Sequence, residues 1–137
     1  MTDDQLQRAK EQGQAQYDSI RELVADLTDD SKDSDRSREA ILEDALSVLV
    51  RSGWYPPGKD EGPEDFQILL CWGGPAARLI GTLNQHREPE SATMQVQDWF
   101  QPWTDFQPDT GDDADDILLT YARCFYFGVS GCRKLPE

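Results

Sequence analysis

Residues 66–83 read FQILLCWGGPAARLIGTL. Phe66 to Trp72 is an apolar run long enough for a strand and too short for an independent helix. Gly73-Gly74-Pro75 interrupts it, and Ala77 to Leu83 returns as a second apolar run. So short a link joins antiparallel neighbours, because a parallel return needs a crossover of about a dozen residues or more. The first run is apolar on both faces, which puts it in the middle of a sheet or under cover. A central antiparallel hairpin therefore sets the fold.

Outward from this hairpin the pattern extends in both directions. Upstream, Leu46-Ser47-Val48-Leu49-Val50-Arg51-Ser52-Gly53-Trp54 is rich in β-branched residues and reads as a strand, stopped by Tyr55-Pro56-Pro57-Gly58. A helix continuing through Val50 is the competing reading. Downstream, a polar loop over 84–91 leads to a fourth strand from Ala92 to about Trp99. In the stretch MQVQDWFQPWTDF (94–106), Met94, Val96 and Asp98 alternate against Gln95, Gln97 and Trp99. Pro102 then ends the pairing. The aromatic knot of Trp99, Phe100, Trp103 and Phe106 reads as a clasp joining the last strand to the last helix, with Trp103 and Phe106 its most exposed members.

Helices flank the strands. From residue 3 to about 28, Leu6, Tyr17, Ile20, Val24 and Leu27 form an apolar stripe, with Lys10 and Gly13 in its weaker positions. The polar first turns are expected to stand away from the body or to fray. A turn-forming loop follows, then a short helix over Arg36 to about Asp44 with Ile41 and Leu42 inward. Asp112 to Asp116 place negative charge at the start of a C-terminal helix, whose Ile117, Leu118, Tyr121, Ala122 and Phe125 face the sheet until Gly128. The predicted fold is α+β in two layers: N-terminal helices, an antiparallel meander of about four strands, and a C-terminal helix packed on the sheet. Residues 1–35 form an acidic helix and loop, and 36–137 the α+β core, together one globular unit.

Charge dominates the composition. The 137 residues hold 27 acids against 13 bases, a net charge of −14. Direct nucleic-acid binding needs clustered Lys and Arg, so this balance argues against it. It favours solubility or attraction to a basic protein surface. Residues 1–35 and 64–110 carry most of the excess. Asp18, Glu22, Asp26, Asp29 and Asp30 lie on or just past one side of the first helix, where their spacing can resemble that of phosphates. A plain solvated helix face is the competing explanation. Asp98, Trp103, Asp105 and Phe106 around the knot, and Asp112 and Asp113 at the last helix, complete the candidate partner-binding set.

Chemistry is hard to find. His86 is the only histidine and sits in a polar loop, with no activation pattern linking it to Ser91 or Cys71. Three cysteines (Cys71, Cys124 and Cys132) show no metal-ligand spacing, and their odd number suits a reducing cytoplasm better than a disulfide framework. Asp109, Asp112, Asp113, Asp115 and Asp116 lack the Gly and Glu of a calcium loop. Gly73-Gly74 opens no helix and has no P-loop lysine, so it is no phosphate cradle. The expectation is a non-enzymatic protein with no cofactor and no metal. Met1 leads into Thr2-Asp3-Asp4-Gln5 without the apolar region of a secretory leader, and no run is long enough to span a membrane, so a cytoplasmic location is expected.

Four stretches carry a resemblance: LSVLVRSGW (46–54), QILLCWGGPAARLIGTL (67–83), QVQDWFQPWTDF (95–106) and LLTYARCFYFG (118–128). From about Leu46 to Gly128 the chain resembles a family of small proteins of bacteriophages and mobile elements. The resemblance supplies no catalytic residues. It implies that the chain acts in the host cytoplasm, where small acidic phage proteins inhibit bacterial defence. In physical logic it is similar to anti-CRISPR and anti-restriction proteins that occupy a nuclease's nucleic-acid groove. The expected partner is then a nucleic-acid-binding defence effector. Other readings are a structural or accessory protein that forms a homodimer by coiling its N-terminal helix, and a ligand module with a pocket lined by Trp72, Trp99 and Tyr121.

Overall fold

The computed structural model describes residues 3–59, 62–98, 101–108 and 113–127. In chain order the elements are α1 (Asp3–Leu27), α2 (Ser34–Asp44), β1 (Ser47–Arg51), β2 (Asp65–Cys71), β3 (Pro75–Thr82), β4 (Thr93–Asp98), β5 (Thr104–Phe106) and α3 (Ala114–Ala122). The strands form one antiparallel sheet in the order β1-β2-β3-β4-β5, a meander in which each strand pairs with its neighbour in sequence. The helices pack on one face only, giving the two-layer α+β arrangement.

The hairpin over 66–83 is the centre of the sheet. Phe66, Ile68 and Leu70 of β2 alternate inward, opposite Ala77 and Leu79 of β3, and a register shift between Leu69 and Cys71 accommodates the link. Pro75 is the first residue of β3, a position in a strand that tolerates proline. Although β2 is apolar on both sides, its outer face lies under no second layer. Gln67 and Leu69 are half-buried there among neighbouring side chains, while the register shift turns Cys71 toward α1.

α1 lies across β3 and β4, with α2 and α3 beside it. Its buried stripe is Ala9, Gly13, Tyr17, Ile20 and Val24, spaced by fours and threes. Lys10, expected within that stripe, is exposed, and Ala9 takes the seat. The early turns do not stand away from the body. Gln12 donates to the Cys71 sulfur, and Gly13 presses against β4 and β5. A methyl at Gly13 would come within 2.6 Å of Val96 Cγ1, so only glycine permits this approach. Because the stripe is buried in its own domain, it cannot also form a coiled pair between copies.

α2 begins earlier than its apolar pattern suggests because Asp33 caps it, accepting from the amides of Asp35 (3.0 Å) and Arg36 (3.4 Å). α3 stops at Ala122 rather than at Gly128, which lies outside the described residues. Beyond the helix the chain turns so that Phe125 and Phe127 are both buried, Phe127 against Phe66 with ring centroids 4.9 Å apart. The inward alternation of Phe125 and Phe127 replaces a helical period there. Tyr121, fully buried, packs at a tilt against Phe125 with centroids 5.5 Å apart and donates to Asp44 Oδ2 at 2.7 Å, tying α3 to the end of α2.

Candidate interaction surfaces

The sequence-predicted site residues fall on four separate parts of the molecule. Asp98 belongs to none of the surfaces. Among the described residues it is the one charged side chain that is buried, 0% exposed at the end of β4, where Arg8 of α1 donates to its Oδ2 through Nε (3.2 Å) and Nη2 (2.8 Å). A carboxylate moved out of water is tolerable only with such a partner, so Asp98 anchors α1 to the sheet and is not a partner-binding residue.

The knot closes differently from expectation. Trp99, Phe100 and Asp112 lie outside the described residues. After Pro102, the residues Thr104–Phe106 form a fifth strand that pairs Met94 with Phe106 and Val96 with Thr104. Phe106 points inward and is half-buried beside Gly13, so this member of the knot packs on α1. Trp103 lies on the opposite, open face, where the Arg78 guanidinium sits 4.3 Å from its ring centroid. Asp113 is exposed at the start of α3 and caps it with no side-chain hydrogen bond.

The open face of the sheet is organised by a polar ladder. Arg78 donates to Gln67 Oε1 and through Nε (2.9 Å) and Nη2 (2.7 Å) to Gln95 Oε1. Gln95 Nε2 in turn donates to Asp105 Oδ1 at 2.8 Å. Burial holds the Arg78 guanidinium below its ordinary pKa, with the Arg51 charge adding to the effect. A shallow cavity of about 480 Å³ opens between these strands, lined in part by Leu49, Arg51, Asp65, Gln67, Ile80 and Thr93. Its charged groups are already engaged, Arg51 with Asp65 at 2.9 Å and Arg78 within the ladder. Trp72 is exposed and Tyr121 is buried in the core, and neither lines this cavity.

The acid row on α1 is divided. Asp18 accepts from Gln14 Nε2 (3.0 Å), Asp26 pairs with Lys32 (3.2 Å), and Asp29 accepts from the amide (2.9 Å) and hydroxyl (2.7 Å) of Ser31. The Ser31 bonds hold the Asp29 carboxyl below its usual range. Glu22 and Asp30 are exposed with no such contact among the described residues. The row continues beyond α1: Asp33, Asp35, Glu39 and Glu43 are also exposed, so the acidic surface covers the end of α1, the loop and α2. Arg36 and Arg38 stand among these acids, so the charge along the sequence does not show the extent of the surface.

His86 is exposed in a tight turn, where Asn84 Oδ1 accepts from the amides of His86 (2.8 Å) and Glu88 (3.1 Å). Among the described residues no three His, Cys, Asp or Glu side chains are arranged to hold a metal ion, and no helix is long and apolar enough to cross a membrane. Burial raises the thiol pKa of both Cys71 and Cys124, so neither has the character of an activated nucleophile. Cys132 lies outside the described residues.

One group of surface residues has no counterpart in the sequence-based set. Along and beyond β1, Leu46, Val48, Leu49, Val50 and Trp54 are all exposed. The sequence reads this run as a strand without placing it in the sheet, and the position of β1 at the sheet edge exposes it. Compared with family models, curated proteins and solved structures, the chain matches none. Its function must be argued from these surfaces.

Proposed function

We propose that the protein is a non-enzymatic inhibitor that docks its acidic helical layer on the basic nucleic-acid-binding surface of a bacterial defence nuclease, in the manner of an anti-CRISPR protein. The observation that carries this reading is the run of exposed carboxylates from Glu22 to Glu43, set on helices that the core holds in place. Tyr17, Ile20 and Val24 fix α1, Ile41 fixes α2, and the Tyr121–Asp44 bond fixes the end of α2. Helices held by the core need no backbone ordering on binding, and a basic groove supplies attraction and fast encounter.

The test is competition. A purified nucleic-acid-binding defence nuclease, holding a fluorescent DNA, is titrated with the protein at low and at near-physiological salt. Displacement that weakens steeply with salt supports the reading; displacement indifferent to salt removes the charge-pair basis for it. A variant with Glu22→Gln, Asp30→Asn, Glu39→Gln and Glu43→Gln leaves the Asp29 turn and the Asp33 cap intact. At roughly 0.5 kcal/mol for each exposed pair lost, its displacement is expected to weaken by about tenfold or more. Undiminished displacement by a folded variant sinks the proposal.

A further inference from the structure

The β1 edge of the sheet is unguarded. Strands at an edge offer unpaired backbone donors and acceptors, and proteins usually blunt them with charge, proline or shortness. At the other edge β5 has all three: it is only Thr104–Phe106, carries exposed Asp105, and lies between Pro102 and Pro108. β1 has one charged residue, Arg51 at its last position, and apolar side chains on both faces. Leu49 is 57% exposed on the open face and Val50 is 46% exposed on the helix side. α2 lies against α1, and Trp54 just past the strand is fully exposed.

We infer that two copies of this chain pair along β1, antiparallel, about a two-fold axis at Leu49. The strand is self-complementary in that register. Leu49 meets Leu49 of the second copy, Val48 meets its Val50, and Ser47 meets its Arg51, so like faces join without a polar residue inside the apolar strip. Charge selects the same arrangement. β1 has a single charge, Arg51 at its last position, held by Asp65 of its own chain at 2.9 Å. Antiparallel pairing keeps the two Arg51 side chains at opposite ends of the paired strands, whereas parallel pairing in register would set them against each other. Glu64 and Asp65 beside the strand are already engaged, with Tyr55 and Arg51, and are not open to a basic foreign strand. The two-fold axis stands perpendicular to the sheet, so the product is one continuous sheet with both helical layers on the same side.

The full-length chain is tested by light scattering over a concentration series. A dimer mass is expected at about 100 μM, a concentration at which even a micromolar dissociation constant gives nearly complete pairing. Val50→Lys alters an already exposed position, so the fold is expected to persist by circular dichroism while the scattering mass halves. Leu49→Cys is expected to yield a disulfide-linked dimer on mild oxidation, since facing Cα atoms of an antiparallel pair stand ~4.5–5.5 Å apart. Ser47→Cys, which faces Arg51 rather than itself, should not exceed the wild-type background. A wild-type monomer at that concentration leaves the edge to a foreign strand and overturns the inference. So does a dimer that survives Val50→Lys, or one in which Leu49→Cys cross-links no more than wild type.

Discussion

The Arg8–Asp98 pair joins unequal partners: the Asp98 side chain is fully buried, whereas that of Arg8 is 54% exposed. Removing each therefore has a different cost. Arg8→Ala strands a buried carboxylate and is expected to destabilise by about 3 kcal/mol. Asp98→Asn leaves a guanidinium that water can reach, so its cost should be nearer 1 kcal/mol. Urea unfolding of both variants checks this, and equal losses would mean that Asp98 is better solvated than its burial indicates. Other single residues respond to alkali. Burial raises the Cys71 and Cys124 thiols, and burial together with the bond to Asp44 raises the Tyr121 hydroxyl. In each case the folded state holds the proton more tightly than the unfolded chain. Their contribution is fully present below the ordinary thiol pKa of about 8.5 and is lost as pH rises beyond it, with the tyrosine adding above about 10. The thermal midpoint should fall over that range. Replacing Tyr121 with Phe should lower stability at neutral pH by roughly 1–2 kcal/mol and flatten the decline above pH ~10.

Close approach of elements rests on two glycines. In an exposed helix, Gly→Ala stabilises by about 1 kcal/mol. At Gly13 of α1 the sign should reverse, because the methyl would meet Val96 and the Phe106 ring, the latter at 3.1–3.2 Å. Gly13→Ala is expected to cost about 1–3 kcal/mol, measured by denaturant midpoint. Gly81→Ala should be worse, since its methyl would fall 2.0 Å from the Ser91 carbonyl oxygen, a backbone atom that cannot rotate away. The same elements show what a sequence carries. β1 to β4 were legible from runs of apolar residues and the turns between them, and α1 and α2 from helical period and punctuation. β5 was not, because three residues after a proline offer no periodicity, and Thr104–Phe106 becomes a strand only because β4 presents an edge to it. Asp98 shares the alternation of Met94 and Val96, yet the sequence reading counts it among the partner-binding residues. The alternation did not indicate Arg8, a partner 90 positions away. The acidic surface was half legible, since helical spacing shows a row on α1 but not its continuation over α2. The exposure of β1 was not legible for a topological reason: an apolar run marks a strand but does not tell whether that strand is last in the sheet.

Net charge sets the behaviour of the molecule as a whole. At −14 the exposed carboxylates repel one another, most strongly across the end of α1, the loop and α2. Raising ionic strength from ~10 to ~150 mM shortens the screening length from about 30 to about 8 Å. The protein should therefore become more stable with added salt, because surface repulsion is screened while the buried Asp98 contact is little affected. Calorimetry over that range checks this, and a falling midpoint would show that attractive surface pairs outweigh the repulsion. Salt also separates the two proposed surfaces, since its effect on them has opposite signs. Docking of the acidic layer on a basic groove is an attraction and must weaken as salt rises. Pairing of two copies along β1 joins apolar strands on bodies of like net charge, with no charge pair across the strands to offset that repulsion. Self-association should strengthen over the same range in which docking weakens. Measured on one preparation, two affinities moving in opposite directions would place the two interactions on different parts of the molecule. If both weaken together, the dimer is held by charge pairs and not by the β1 strands.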